Sequence, residues 1–352
     1  MRTAFELDTF PGVVGTFMGR DALTLAASHL RLSPNDTVLL PAYSCKEVLR
    51  PFLKRATVEF YDVQPDLTID PDEMKAKLRG GRIKALLIIN YFGFLQRFRN
   101  DIKRICLESG TALIEDCAHS LLTAGSGETG DLVVYSFRKS LPVSDGGGLK
   151  LNTNGQLVNA KFYPRIVSNA LSALIMAKSA LHVRSNTFSR AGIASHISGS
   201  PSATATPNQE GRLLPMSSFA RASIPRASFP EIIRKKREDF LFWLDACRMS
   251  AVAAPLFGSL PAGVCPLGFP LTGADRDSLM SMARRQGVNL MVHWRLPSGL
   301  GSECRNSHSL SARTVTLPIY PDLPPRHREA LQNLLAAPSY TPASPVTSEK
   351  RL

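Results

Sequence analysis

No two of the six cysteines form a C-x-x-C pair, and none stands at zinc-ligand spacing with a histidine. Cys45, Cys106, Cys117, Cys247, Cys265 and Cys304 therefore read as free thiols, most of them small buried side chains, and no metal is expected. No apolar run is long enough to cross a bilayer. The most apolar helical stretch, residues 166–181, is interrupted by Ser168, Asn169, Ser172 and Lys178. The opening residues MRTAFELDTFPG lack the apolar core of a signal peptide, so the expected location is the cytoplasm. No internal repeat and no recognised nucleic-acid-binding module occurs.

What is present is an ordinary globular composition, 44% hydrophobic and 20% charged over 352 residues, enough for one large domain and a smaller one. The net charge of +13 is compatible with anionic substrates. Its densest run, Arg234-Lys235-Lys236-Arg237, lies in IIRKKREDFLFWL, where apolar residues recur at helical spacing, and reads as a solvated helix face.

Residues 19–151 alternate between helical and strand patterns. GRDALTLAASHLRL places Ala22, Leu25, Ala26 and Leu30 on one helix face. TVLLPAY, TVEFYDV, IKALLIINYFG, TALIEDCAHS and DLVVYSF read as strands, with helices at residues 71–79 and in FRNDIKRICLESG. Strands with continuous apolar runs, alternating with helices, predict an α/β fold: a mostly parallel sheet flanked by helices, with ligands at the carboxyl ends of the strands. Residues 1–228 form the expected large domain. Within it, residues 185–228 are rich in Ser, Ala, Pro and Arg without a period, and read as a mobile loop or linker. A smaller C-terminal α+β domain is expected over 229–337, with a long helix from Glu231, strands at GVNLMVHW and TVTLPIY, and a last helix over residues 324–335. Residues 338–352 read as a disordered tail.

Three clusters fall where such a sheet places chemistry. Glu115-Asp116-Cys117-Ala118-His119 ends an apolar strand. A carboxylate there needs a cationic partner, which a protonated pyridine nitrogen supplies, although a helix-capping Asp fits equally. Ser136-Phe137-Arg138-Lys139 follows another strand and precedes Asp145-Gly146-Gly147-Gly148, read as a Gly-rich turn. A lysine desolvated beside other cations becomes a competent amine nucleophile; an exposed lysine on a surface hairpin is the plainer reading. Gly19-Arg20-Asp21 opens the first helix, whose free N–H groups can seat a phosphate.

Together, GRDAL, LLPAYSC, FYDV, NYFGF, IEDCAHS, YSFRKSLPVSDGGGL, W-x-LP and LPIYPDL resemble the DegT–DnrJ–StrS family of aminotransferases dependent on pyridoxal 5'-phosphate (PLP). The resemblance implies fold type I, PLP as cofactor, and transfer of an amino group from an amino acid to a carbonyl acceptor such as a keto-sugar nucleotide. It implies that Lys139 carries the cofactor covalently and that Asp116 pairs with the pyridine nitrogen. His119 lies near the ring; Gly19, Arg20 and Asp21 meet the phosphate through backbone N–H groups, helped by Ser136. Cys45 stands where the family commonly has a stacked aromatic, with Tyr43 two residues before it. Tyr91, Trp294, Arg212 and Arg221 are the candidate substrate contacts, and a homodimer is implied, with the helix at residues 170–180 as an interface element. Two departures stand out. Lys139 follows Ser136 by three residues, where the family usually has five; Lys150, beyond the glycines, fits worse. The N-Y-R-M segment that completes the partner's site has no clear counterpart, Ser185-Asn186-Thr187-Phe188 being the nearest. A PLP lyase or group-transfer enzyme, or a PLP-binding homologue without turnover, are the alternatives.

Overall fold

The computed structural model describes residues 7–153, 157–158, 160–184, 212–248, 250–273, 275–288, 290–297, 299–321, 323 and 325–336. A seven-stranded sheet organises the first half of the chain. Its strands are β1 (Val13–Thr16), β2 (Thr37–Pro41), β3 (Thr57–Tyr61), β4 (Ile83–Ile89), β5 (Ala112–Asp116), β6 (Leu132–Ser136) and β7 (Gly147–Leu151), in the order β1-β7-β6-β5-β4-β2-β3. From β3 to β6 all pairings are parallel; β7 pairs antiparallel with both β6 and β1. The central strands are buried because their sequences are apolar on both faces: LVVYS of β6 is buried throughout, and in IKALLII of β4 Lys84 alone is exposed.

Helices α1 (Gly19–His29), α2 (Lys46–Leu53), α3 (Pro71–Leu78) and α4 (Arg99–Ser109) connect the strands. Their ends follow local chemistry. Asp70 caps α3 by accepting from Asp72 N at 2.9 Å, with Pro71 at the first helical position. Gly110, at φ 68°, closes α4 in the left-handed conformation that a side chain resists. A short α5 (Phe137–Ser140) follows β6 directly, and α6 (Arg165–Arg184) leaves the sheet.

The second half builds a separate core. Helix α7 (Ser218–Ser223) still packs on the first half through Ala220, whereas α8 (Phe229–Ala246), α9 (Arg276–Arg285), α10 (Arg305–Arg313) and α11 (Pro325–Ala336) surround an antiparallel sheet in the order β10-β9-β8, made of β8 (Ala253–Pro255), β9 (Phe269–Gly273) and β10 (Thr314–Leu317). Phe240, Trp243, Phe269, Leu271, Val315, Leu331 and Leu334 pack at its centre. Asp62, just past β3, joins the halves: its carboxylate accepts from Asn306 N and Ser307 N, each at 2.9 Å, at the start of α10.

The structure revises four local readings. Gly147 and Gly148 are strand rather than turn; Gly146 alone, at φ 126°, makes the bend. A Cβ on Gly147 would lie 2.6 Å from Gly19 N and closer still to the Met18 carbonyl, so only glycine lets β7 run against the start of α1. Among the described residues of GVNLMVHW only Met291 bridges β10, and the carbonyls of His293 and Trp294 are taken by side chains. TVTLPIY stops as a strand at Leu317, before Pro318, which has no N–H for the ladder. Residues 212–228 are built into the fold, with Leu213, Leu214 and Met216 buried and Pro215 bridging Thr16. Residues 185–211, the Ser185–Phe188 comparison and the tail lie outside the described residues.

Candidate active site

The carboxyl ends of β2, β4, β5 and β6 converge, and the sequence clusters meet there. Asp116 ends β5 and is buried. Its Oδ1 accepts from Ala118 N at 2.8 Å. Burial pushes its carboxyl above the usual range, opposed first by the Lys139 ammonium. Lys139 sits in α5, half-buried, one strand over. Burial depresses its amine; the nearby Cys45 and Asp116 favour its charged form, and Arg138 opposes it. Each residue thus acts on the ionisation of the other, the relation expected of a lysine nucleophile and a carboxylate that share one ligand. Lys150 lies on β7 opposite Val133 and Val13.

His119 is buried, and its Nδ1 accepts from Phe92 N at 3.3 Å, which leaves the proton on Nε2. Burial, then Lys139 and His293, hold it neutral. Ser136, at the end of β6, lies against the start of α1: a Cβ on Gly19 would sit 3.5 Å from Ser136 Cβ. The first residues of α1, Gly19 and Arg20, carry N–H groups that the helix does not use. The N–H groups of Asp21 and Ala22 are already taken by the Met18 carbonyl, at 3.0 and 3.3 Å. Asp21 therefore does not serve as the expected backbone donor. Its carboxylate instead accepts from Met18 N at 2.9 Å, and burial raises its pKa to about 6. Arg20 pairs with Glu47 at 3.1 Å, while its shielded Nε has no hydrogen-bond partner.

Cys45 is the N-cap of α2 and is the one cysteine that is not buried. Burial raises its thiol pKa, with Lys139 opposing. Tyr91 is buried, and its hydroxyl donates to the Tyr43 carbonyl at 2.7 Å. Tyr43 donates its own hydroxyl to the His293 carbonyl. Trp294 packs 5.2 Å from Tyr43 and 5.3 Å from His119, so a residue from the far half of the chain reaches the cluster. Arg212 and Arg221 do not. Arg212 lies over the Tyr163 ring and Arg221 pairs with Asp8 at 3.6 Å; both partners were out of sight in a linear reading.

Three contributors were not singled out. Glu115, wholly buried behind Asp116, accepts from Gly127 N, Thr129 N, Gly130 N and Asn90 Nδ2. A carboxylate inside an apolar strand was the signal for it. Asn90 also accepts from Gln96 N at 2.9 Å and so fixes the turn after β4. His293 is held neutral, its pKa lowered to about 3 by burial and then by Lys139, with Nδ1 2.8 Å from Thr316 Oγ1; its sequence context gave no sign.

A mostly parallel sheet flanked by helices, with a buried Asp at one strand end and a Lys just past the next, is a fold that solved aminotransferases share. A solved aminotransferase, TlmJ from Streptoalloteichus hindustanus, superposes with a TM-score of 0.67 at 21% identity, over 92% of this chain and 85% of that one. Residues 11–163 match the model of the DegT/DnrJ/EryC1/StrS aminotransferase family. Over 142 residues the chain is 34% identical to Protein MosB of Rhizobium meliloti, which covers 39% of this chain and 28% of that protein. It is 25% identical to the GDP-perosamine synthase of Vibrio cholerae over 146 residues, 40% of this chain and 39% of the synthase. The matches thus span well under half the length of these relatives.

Proposed function

We propose that the protein is a PLP-dependent aminotransferase that moves an amino group from an amino-acid donor to a carbonyl acceptor, a keto-sugar nucleotide. The observation that carries this reading is the buried Asp116 acting on the half-buried Lys139 beside the open start of α1. The residues suit PLP chemically. A carboxylate held in a buried strand end accepts a pyridinium N–H. A helix start packed so closely against Gly147 that a Cβ has no room, beside Ser136 and an orphaned Arg20 Nε, suits a phosphate. When bound, PLP supplies an electron sink conjugated to the reacting carbon.

The protein's own part follows from its residues. Asp116 keeps the ring nitrogen protonated. Lys139 would hold the cofactor covalently, and its Nζ would be the base that takes the proton from the donor's Cα. Its depressed pKa leaves more of it as free amine at neutral pH. Gly19 and Arg20 N–H groups with Ser136 Oγ would fix the phosphate, and His119, neutral with its proton on Nε2, would be available as a donor. The sugar-nucleotide acceptor draws on the synthase of Vibrio cholerae, whose substrate class suits a basic protein. An absorbance scan of purified protein with added PLP tests the reading. A visible band that bleaches on adding glutamate or glutamine is expected; no band at any PLP concentration sinks it.

We propose further that it works as a homodimer in the cytoplasm. Six free thiols suit a reducing compartment, and among the described residues no helix is long and apolar enough to cross a membrane. Ile166 and Leu174 of α6 are 74% and 59% exposed, and Phe219 of the adjoining α7 is 48% exposed, an apolar face suited to a second copy. Light scattering at micromolar concentration is expected to give twice the chain mass; a monomer with PLP bound contradicts the dimer.

A further inference from the structure

Tyr43 was expected near the cofactor, yet its polar end points elsewhere. It follows β2 and is wholly buried. Its hydroxyl donates to the His293 carbonyl, and its ring meets Trp294 edge-on at 5.2 Å. Burial raises its pKa, so the phenol stays a donor at any physiological pH. Tyr91 anchors it from behind through the 2.7 Å hydrogen bond to its carbonyl.

The His293–Trp294 corner is held just as firmly from the other side. His293 Nδ1 lies 2.8 Å from Thr316 Oγ1, and the Trp294 carbonyl accepts from Ser311 Oγ at 2.6 Å. Thr316 N donates to the Met291 carbonyl at 2.9 Å. Thr316 belongs to β10 and Ser311 to α10, so the corner rides on the C-terminal half. Tyr43 belongs to the large sheet. The Trp294 ring in turn lies 5.3 Å from His119, inclined at 31°, and 5.8 Å from Tyr91. Whatever moves the corner moves the wall over His119.

We propose that Tyr43 is a positioning residue: its phenol latches the His293–Trp294 corner of the C-terminal half onto the end of the large sheet and so sets the wall against which the acceptor is held. The purpose of the wall rests on the aminotransferase reading; the latch does not. The chain has two tryptophans, and Trp243 is wholly buried in the second core with its Nε1 bonded to the Pro318 carbonyl. Trp294 is therefore the one whose environment can report the corner.

The experiment measures acrylamide quenching of tryptophan emission in the full-length protein without cofactor. Tyr43→Phe keeps the ring and removes the hydroxyl. Losing one neutral hydrogen bond is expected to raise the open population of the corner about five-fold, read as stronger quenching and red-shifted emission. In a Trp294→Phe background the same change is expected to have no effect. Thr316→Val, which frees His293 Nδ1 from the opposite side, is expected to act in the same direction, and it alone decides should Tyr43→Phe fail to fold. Unchanged quenching in the variants that fold overturns the latch. A second arm adds PLP, which absorbs where tryptophan emits. Wild type is expected to lose Trp294 emission, and Tyr43→Phe to lose less of it while its visible PLP band stays the same. Equal loss in both counts against the latch. A wild-type protein that binds no PLP overturns the cofactor reading instead, and leaves the cofactor-free measurement to judge the latch.

Discussion

Lys139→Ala is expected to abolish the borohydride-fixed link between PLP and the protein and to lower turnover by roughly a thousandfold or more. Among the described residues Lys139 is the amine that acts on Asp116, and burial holds its pKa down. Little stability should be lost, because relieving the desolvation of the ammonium offsets the packing lost with its aliphatic stem. The variant is therefore expected to keep its secondary structure and to bind PLP reversibly. Peptide mapping after reduction checks the assignment. The label belongs on the peptide containing Lys139 in wild type and should survive in Lys150→Ala. A label that persists in Lys139→Ala, on Lys150 or elsewhere, means that the two-residue shortening between Ser136 and Lys139 has moved the chemistry to another amine.

Asp116→Asn is expected to slow the donor half-reaction by a hundredfold or more, about 2.7 kcal/mol in the barrier, while the fold persists. Asparagine has nearly the same shape and can still accept from Ala118 N, so strand β5 need not move. What it lacks is charge. A neutral amide cannot keep the pyridine nitrogen protonated, and the ring then withdraws electrons poorly. A second consequence separates this from a purely structural effect. Asp116 favours the ammonium form of Lys139, so its removal is expected to lower the lysine pKa further. Stopped-flow measurement of band decay against pH reads both effects. Near-native decay in the variant would show that Asp116 does not touch the ring.

These expectations rest on features that were legible in the sequence for a definite reason. Strands β2, β4, β5 and β6 announce themselves by unbroken apolar runs, and in such a sheet the residues just past the strands share one edge. Asp116 and Ser136 end, and His119 and Lys139 follow, strands that could be read, so their meeting could be read too. Strands β1 and β7 could not. They are short, antiparallel and rich in glycine, and glycine there answers to the nearness of Met18 and Gly19, which is a tertiary fact. Helix α2 carries Pro51 inside it and starts at a cysteine with no side-chain cap, so it shows no starting signal. The reach of Trp294 and His293 into the site depends on how the second core docks, through Asp62 and α10, and no local pattern encodes that. The same holds in reverse for Arg212 and Arg221. They were candidate substrate contacts, but Tyr163 and Asp8 already engage them.

Glu115 gives the site a quality that the functional residues alone do not have. Successive residues of β5 face opposite sides of the sheet. Asp116 looks toward Lys139, and Glu115 looks away, into donors from the loop at residues 127–130 and from Asn90. The strand end is thus clamped from the rear by an ionic group that has nowhere else to go. Charge that must act on a ligand usually loses part of its effect to reorganisation, as dipoles and side chains swing to follow it. Here the rear clamp removes that freedom in advance. The carboxylate of Asp116 meets whatever binds beside Lys139 from a fixed position, and the reorganisation cost has already been met during folding.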